Sequence, residues 1–410
     1  MAGSSQKTVV VVNDNAFVQG GAAKVAIGEA VGLADRGHKV VFFSASGPPD
    51  PALVGHPNLE AICLRDNYDV AKLPTLVHAT RGIWDREAQR AFANLLRKHD
   101  PRSTVVHYHM VREQLTASVY NPAFDLGFPV VVTPHEYNIG CPYGGFFDYA
   151  QKRCCELRGL SGACLRSHCN EGAYARKLWF YAKGKVQQKV AHVPDRVKHW
   201  IFIGTFIRDQ LRPYLPAGAV EHMVRNPIEV PDEGCRVAAE GSPFVFVGRL
   251  TVEKDPVTFA RAAKALGVPA VFIGDGYLAD EVRKANPDAQ MVGWVDRAGV
   301  KEWMKRGRAL VFPSIWYEGQ PLTVQEAAAL GLPTIASDKC AARDDVEDGV
   351  NGLIFEGGNV DDLAAKMIVL QDTASANKMG EEAHRHFWAD PPTVQKHLDG
   401  LESVFAEVLA

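Results

Sequence analysis

The sequence predicts an α/β protein of two doubly wound, Rossmann-like domains facing each other across a cleft. Three observations predict it. Short, β-branched apolar runs alternate with stretches of helical spacing, and this alternation occurs twice along the 410 residues. Between the two series lies Pro227 to Ser242, rich in proline, glycine and acidic residues and without a clear period. The loops that follow the apolar runs carry glycine and charged residues, as expected where an open sheet binds ligands at the carboxyl ends of its strands.

Thr8 to Val12 is the first buried-strand run, followed by the loop Asn13 to Gly20 and a helical stretch from Gly21 to Ala34. Gly37 and His38 end that helix, and Lys39 to Ser44 reads as the second strand. Further strands are expected at Leu59 to Cys63, Thr104 to His107, Pro129 to Thr133, Trp200 to Gly204 and Val220 to Val224. Residues 1–228 form the expected first domain and 229–242 the linker. The second series places strands at Pro243 to Val247, Ala270 to Ile273, Ala289 to Val292, Ala309 to Phe312, Pro333 to Ala336 and Gly352 to Phe355. Helices near 256–266, 277–286, 298–306, 321–331 and from 360 complete a second domain over 243–385. In the tail, 386–410, Val394, Leu398, Leu401, Val404, Phe405 and Leu409 recur at helical spacing, and this helix is expected to pack back on the first domain.

Composition is that of an ordinary globular protein, 47% hydrophobic and 23% charged. A net charge of −3 gives no reason to expect a nucleic-acid partner. No run approaches a membrane span, and the lead Met1 to Lys7 with Val9 to Val12 is too short for a signal peptide, so a cytoplasmic protein is expected.

The chemistry concentrates in the second series. Glu318 and Glu326 bracket the turn from the apolar run Ala309 to Pro313 into a helix beginning near Thr323. Uncapped amides at such a helix start, with the helix dipole, suit an anion. After the first strand of this series comes Gly248-Arg249-Leu250, then Glu253-Lys254-Asp255; Arg249 and Lys254 could clamp a diphosphate, or could be surface cations. Gly274 and Gly276 follow the next strand and would let a ligand approach the backbone. Trp294 and Val295, after the third, could frame a flat base, or pack in the core.

Together these residues resemble the retaining glycosyltransferases of the GT-B fold, family 4. Glu318 to Glu326 is similar to that family's E-x7-E signature, Gly248-Arg249-Leu250 with Glu253-Lys254-Asp255 to its G-R-L-x-x-E-K-D, Gly20-Gly21 to its N-terminal glycine pair and Gly37-His38-Lys39-Val40 to its G-H-x-V. The resemblance is strongest over residues 243–371. It implies transfer of a hexose from a nucleotide-diphosphate sugar, with retention, to a saccharide or lipid-linked acceptor. Arg249 and Lys254 would hold the diphosphate and Glu318 the sugar hydroxyls. Gly319, Gln320, Pro321 and Leu322 would add backbone contacts, Thr323 and Val324 amides, Glu326 a bond to the ribose, and Gly21 a close approach across the cleft. Gln320 stands where the family often has an aromatic residue. Specificity is therefore expected at Gln320 and in the loop around residues 141–170.

His135, in Thr133-Pro134-His135-Glu136-Tyr137, resembles the family's H-D/E-Y motif and is expected to donate to a sugar hydroxyl. His107 and His109 are secondary candidates for acceptor contact. The chain contains no Asp-x-Asp, so no catalytic metal or other cofactor is expected. Rival functions are a sugar-nucleotide epimerase of the same fold and a non-catalytic sugar-nucleotide-binding partner. A nicotinamide-dependent dehydrogenase is disfavoured, because Gly20-Gly21-Ala22-Ala23-Lys24 is not G-x-G-x-x-G.

Two further features stand apart. Cys141, Cys154, Cys155, Cys164 and Cys169 cluster in an insertion over about 138–175; they could bind structural zinc, with His168 as a substitute ligand, form two disulfides, or remain free. Residues 171–200 are basic, with Arg176, Lys177, Lys183, Lys185, Lys189, Arg196 and Lys198 against Glu171 and Asp195. That stretch could meet an anionic membrane at its inner face, or be an ordinary half-solvated helix.

Overall fold

The computed structural model describes residues 6–170 and 172–410. Met1 to Ser5 of the N-terminal lead, and Glu171 of the basic segment, lie outside the described residues. Among the described residues there are fifteen strands: β1 Thr8–Asn15, β2 Lys39–Gly47, β3 Leu59–Asp66, β4 Thr104–Tyr108, β5 Val130–Val132, β6 Phe147–Asp148, β7 Arg153–Cys154, β8 His199–Phe202, β9 Val220–Met223, β10 Phe244–Val247, β11 Ala270–Ile273, β12 Gln290–Gly293, β13 Ala309–Phe312, β14 Thr334–Ser337 and β15 Gly352–Phe355. They form a seven-stranded sheet ordered β3-β2-β1-β4-β5-β8-β9 and a six-stranded sheet ordered β12-β11-β10-β13-β14-β15. Every pairing within these two sheets is parallel. β6 and β7 form a small antiparallel hairpin inside the cysteine-rich insertion.

A parallel sheet is covered by helices on both faces, which is why its strands are near-continuous apolar runs. Val10, Val12 and Phe43 pack with Phe92 and Tyr108 on one face of the first sheet. Val9, Val11 and Phe42 pack on the other, with Ala26, Ala30 and Leu33 of the helix Gly21–Asp35. Leu398, Leu401 and Phe405 of the C-terminal helix Val394–Val408 belong to that second cluster, so the tail is part of the first domain's core. The second sheet is buried the same way, by Phe259, Leu363 and Met367 on one face and Met304, Val324 and Leu332 on the other.

In each large sheet the direction of winding reverses beside the first strand of the series, between β1 and β4 and between β10 and β13. A crevice opens at such reversal points, outside the carboxyl ends of the strands. Gly21, His109, Lys254 and Glu318 all sit on loops, or at the start of a helix, just after one of these four strands.

Candidate functional site

The loop after β10 is shaped by its own residues. Asp255 adopts a left-handed conformation (φ 46°) and caps the helix Pro256–Leu266, accepting from the Thr258 amide at 3.4 Å, with Pro256 at the first helical position. Burial pushes the Asp255 carboxyl up to about 6. The Glu253 carbonyl accepts from the Ile315 amide (3.0 Å) and the Ser314 hydroxyl (3.1 Å), which fastens this loop to the one after β13. That fastening brings Lys254 Nζ to 2.7 Å from Glu318 Oε1, with both side chains largely buried. The ammonium also lies over the rings of Phe312 and Trp316 at 5.7 and 5.8 Å. Arg249 reaches Glu253 at 3.3 Å but stays 67% exposed, free to turn toward an anion.

The helix Leu322–Ala329 begins after Pro321 with no side-chain cap and no acidic residue in its first turn. Its start therefore carries the positive end of the dipole uncompensated. The Val324 amide already donates to the Pro321 carbonyl (3.0 Å) and its side chain is in the core, so Val324 does not offer the amide expected of it. Leu322 and Thr323 occupy the first turn. A cavity of about 500 Å³ is lined by Leu322 and Glu326 from this helix and, across it, by Gly21, Lys24 and Gly28 of the first domain. A Cβ on Gly21 would meet nothing within 4 Å, so the backbone there faces open space. Glu326 is held by Arg297 Nη2 at 3.1 Å, and the same nitrogen donates to the Glu229 carbonyl.

Several expectations are corrected. His107 and His109 have fully buried side chains and stand behind His135, so direct acceptor contact is excluded. Gln320, where specificity is expected, has its side chain engaged by protein partners: its carbonyl accepts from the Asn226 amide at 2.9 Å and its nitrogen donates to Gln325 Oε1 at 3.2 Å. Trp294 is 80% exposed on the loop after the edge strand β12, and neither Trp294 nor Val295 lines the cavities that Glu326 shares. Gly274 and Gly276 are small because loops cross there. A Cβ on Gly274 (φ 126°) would lie 2.0 Å from the Gly248 carbonyl oxygen, and one on Gly276 2.3 Å from that of Leu250.

The cysteines are not gathered round a metal. Among the described residues the groups of three or more metal-type ligands are Glu29 with His107 and His109, and His199 with His222 and Glu407. All eight cysteines are free thiols. Cys169 and Cys164 face the buried Lys177 ammonium at 3.0 and 3.6 Å, while Cys154 donates to the Ile315 carbonyl at 2.9 Å. Burial pushes Cys154 up to about 11. The insertion instead braces the site: Trp316 Nε1 donates to the Gly145 carbonyl at 2.6 Å, and Tyr317 packs on Tyr137 and Phe146.

The basic segment contains the helix Tyr174–Lys189, and much of its charge points inward. Lys177 is buried, and Lys183 donates to the Arg112 carbonyl with its pKa lowered to about 8 by burial. No helix among the described residues is long and apolar enough to cross a membrane.

His135 is tied inward, its Nε2 lying 3.0 Å from His109 Nδ1. Burial, with His109 adding to it, holds its pKa down at about 3, so the ring is neutral. Behind it lies a carboxylate that sequence reasoning missed. Glu29 is buried among His107, His109 and His397, at 3.4, 2.9 and 2.7 Å. Its one advance signal is His397, a polar residue inside the apolar stripe of the tail helix. Arg297 was missed as well, being one of many surface arginines by spacing.

Residues 242–372 match the family model described as glycosyl transferases group 1, and residues 19–217 match the one for glycosyltransferase family 4. Among curated proteins, the Escherichia coli UDP-Gal:alpha-D-GlcNAc-diphosphoundecaprenol alpha-1,3-galactosyltransferase is 28% identical over 181 residues, 40% of this chain and 46% of that protein. The GDP-mannose-dependent alpha-mannosyltransferase of Mycolicibacterium smegmatis is 28% identical over 172 residues, 42% of each chain. These matches span less than half the length of either relative. Among solved structures, Thermosynechococcus elongatus sucrose-phosphate synthase superposes with a TM-score of 0.64 at 15% identity, covering 98% of this chain and 99% of that one. Anabaena HepE in complex with UDP and glucose superposes with a TM-score of 0.65 at 14% identity, covering 98% and 100%. With two parallel-sheet domains, a site on the loops at their winding reversals, and both halves matched by family models, the chain belongs to the family 4 glycosyltransferases of GT-B fold.

Proposed function

We propose that this protein moves a hexose-type sugar from a nucleotide-diphosphate sugar to a saccharide or lipid-linked acceptor, with retention of anomeric configuration and without a catalytic metal. The observation that carries the reading is the cavity in which Gly21 of one domain faces Leu322 and Glu326 of the other. Glu326 takes the ribose and the uncapped helix start takes the phosphates. Lys254, held in place, and Arg249, free to turn, add positive charge for the leaving diphosphate, whose negative charge grows as the sugar departs. Glu318 holds hydroxyls of the transferred sugar, and His135 orients another from the first domain.

In the same-face route the bond from the anomeric carbon to the phosphate oxygen breaks while the bond to the acceptor oxygen forms. The acceptor's proton passes to the departing phosphate, so no enzyme nucleophile is needed. The names of the relatives support a nucleotide-sugar donor but differ in base and sugar, UDP-galactose in one and GDP-mannose in another. Arg176, Leu178 and Lys189 remain exposed on the basic helix, a face for peripheral contact with a membrane bearing a lipid-linked acceptor on its cytoplasmic side.

A thermal-shift screen of nucleoside diphosphates and their sugars, followed by proton NMR of the product's anomeric centre, tests the reading. Stabilisation by one nucleotide class and an unchanged anomeric configuration are expected. No shift with any nucleotide, or an inverted product, would refute it.

A further inference from the structure

Four histidines and one carboxylate form a connected chain inside the first domain, brought together from four places in the sequence. Glu29 comes from the helix that begins at the cleft, His107 and His109 from the end of β4, His135 from the loop after β5, and His397 from the C-terminal helix. Their contacts are specific. Glu29 Oε1 lies 2.7 Å from His397 Nε2, and Glu29 Oε2 lies 2.9 Å from His109 Nε2 and 3.4 Å from His107 Nδ1. His397 Nδ1 lies 2.7 Å from the Arg225 carbonyl, and His109 Nδ1 lies 3.0 Å from His135 Nε2.

The proton on each ring follows from these partners. Both nitrogens of His397 face oxygens that only accept, so both carry hydrogen and the ring is an imidazolium. That cation keeps Glu29 ionised in a site where an unpaired carboxylate would not stay charged. An ionised carboxylate only accepts, and a lone pair on His109 facing it at 2.9 Å would be repelled, so His109 turns its Nε2–H toward Glu29, off the line of a good hydrogen bond. The single carboxylate charge is already balanced by the His397 imidazolium, and a second buried cation would have no counter-charge, so His109 is neutral with one N–H, which leaves its Nδ1 as a lone pair. His135 must then supply the hydrogen between them from Nε2.

We propose that Glu29 is a positioning residue that fixes this polarity, so that His135 offers an unprotonated Nδ1 to the cleft. The proposal deepens the reading of His135 as a sugar-orienting residue and rests on it. His135 then accepts a hydrogen bond from a sugar hydroxyl, the reverse of the donating role expected from its motif. Neutral His135, with Nδ1 free of protein partners among the described residues, suits that part. The C-terminal helix takes part as well, because the charge that holds Glu29 in place is His397.

Nitrogen-15 NMR of histidine-labelled wild-type protein, with His109→Asn and His135→Asn for assignment, reads the tautomers without any turnover. Nε2–H on both His109 and His135 at neutral pH is expected. Kinetics then test the coupling. Glu29→Met removes the acceptor at similar size and should lower kcat by roughly tenfold through misplacement of His135, with donor KM little changed. In the His135→Ala background the same substitution should cost nothing further. A proton on His135 Nδ1, an equal loss in both backgrounds, or a stoichiometric metal ion retained on Glu29, His107 and His109 would each overturn the proposal. Should the wild type transfer no sugar, the functional reading fails while the NMR result still decides the polarity.

Discussion

Lys254 Nζ and Glu318 Oε1 stand 2.7 Å apart, and neither side chain is more than about one-sixth exposed. The cation proposed for the leaving group and the carboxylate proposed for the sugar are thus held by one another, on loops after the adjacent strands β10 and β13. Such a pair acts as a unit. Lys254→Met and Glu318→Ala are each expected to lower kcat by about 10²–10³, the range for removing one electrostatic contact in a preorganised site. The double variant should lose little more than the worse single variant. Strictly additive losses in steady-state kinetics would show that the two work independently.

Gly274 carries a structural demand that its neighbours make plain. Its φ of 126° is unfavourable for other residues, and a Cβ would stand 2.0 Å from the Gly248 carbonyl oxygen. Gly274→Ala must therefore separate the loops after β10 and β11, moving Arg249 and Lys254 with them. A loss of about 2 kcal/mol or more is expected in urea denaturation. An unchanged midpoint would mean that the loops part without strain.

The buried pair of Glu29 and His397 predicts a pH dependence of stability. Hydrogen bonding and attraction to Glu29 raise His397 above its usual 6.5 despite burial. Its contribution is complete below pH 6.5 and is lost as pH rises through the higher folded value. Burial opposes ionisation of Glu29, yet His109 and His397 hold it well below 4.5, so its contribution is complete above pH 4.5 and fades as pH falls. The Tm difference between wild type and His397→Gln should therefore be greatest between these limits and shrink toward alkaline pH. Near pH 5.5 the substitution should cost about 3–5 kcal/mol, as for removal of one partner from a buried pair. A difference that grows from pH 6 to pH 9 by calorimetry would contradict the assignment.

The strands were legible because a parallel sheet covered on both faces demands unbroken apolar runs; β11, β13 and β15 begin and end where those runs do. The loops were legible because their chemistry is local: Arg249, Lys254 and Glu318 lie on the loops just after strands, and Glu326 about one turn into the helix that follows. What stayed hidden depends on distant partners. Nothing near Glu29 announces that residues 109 and 397 will close on it. Gln320 meets Asn226 only because the two domains come together. Cysteine spacing, likewise, does not say whether the thiols converge, and the facing of Cys169 onto Lys177 is a tertiary fact.

Arg297 and Glu326 give the last test. The arginine is 53% exposed and the carboxylate 23%, so their 3.1 Å contact adds little to stability, at most about 1 kcal/mol. The contact instead aims Glu326, which lines both the cavity shared with Gly21 and a second one of about 260 Å³ with Lys301 and Met304. If Glu326 binds the nucleotide ribose equally in ground and transition states, Glu326→Ala raises donor KM by roughly tenfold and leaves kcat nearly unchanged. Nucleoside diphosphate affinity, measured by calorimetric titration, should weaken by the same factor. A fall in kcat with unaltered KM would place Glu326 at the reacting end of the donor, and the ribose assignment would then pass to another residue of the cavity.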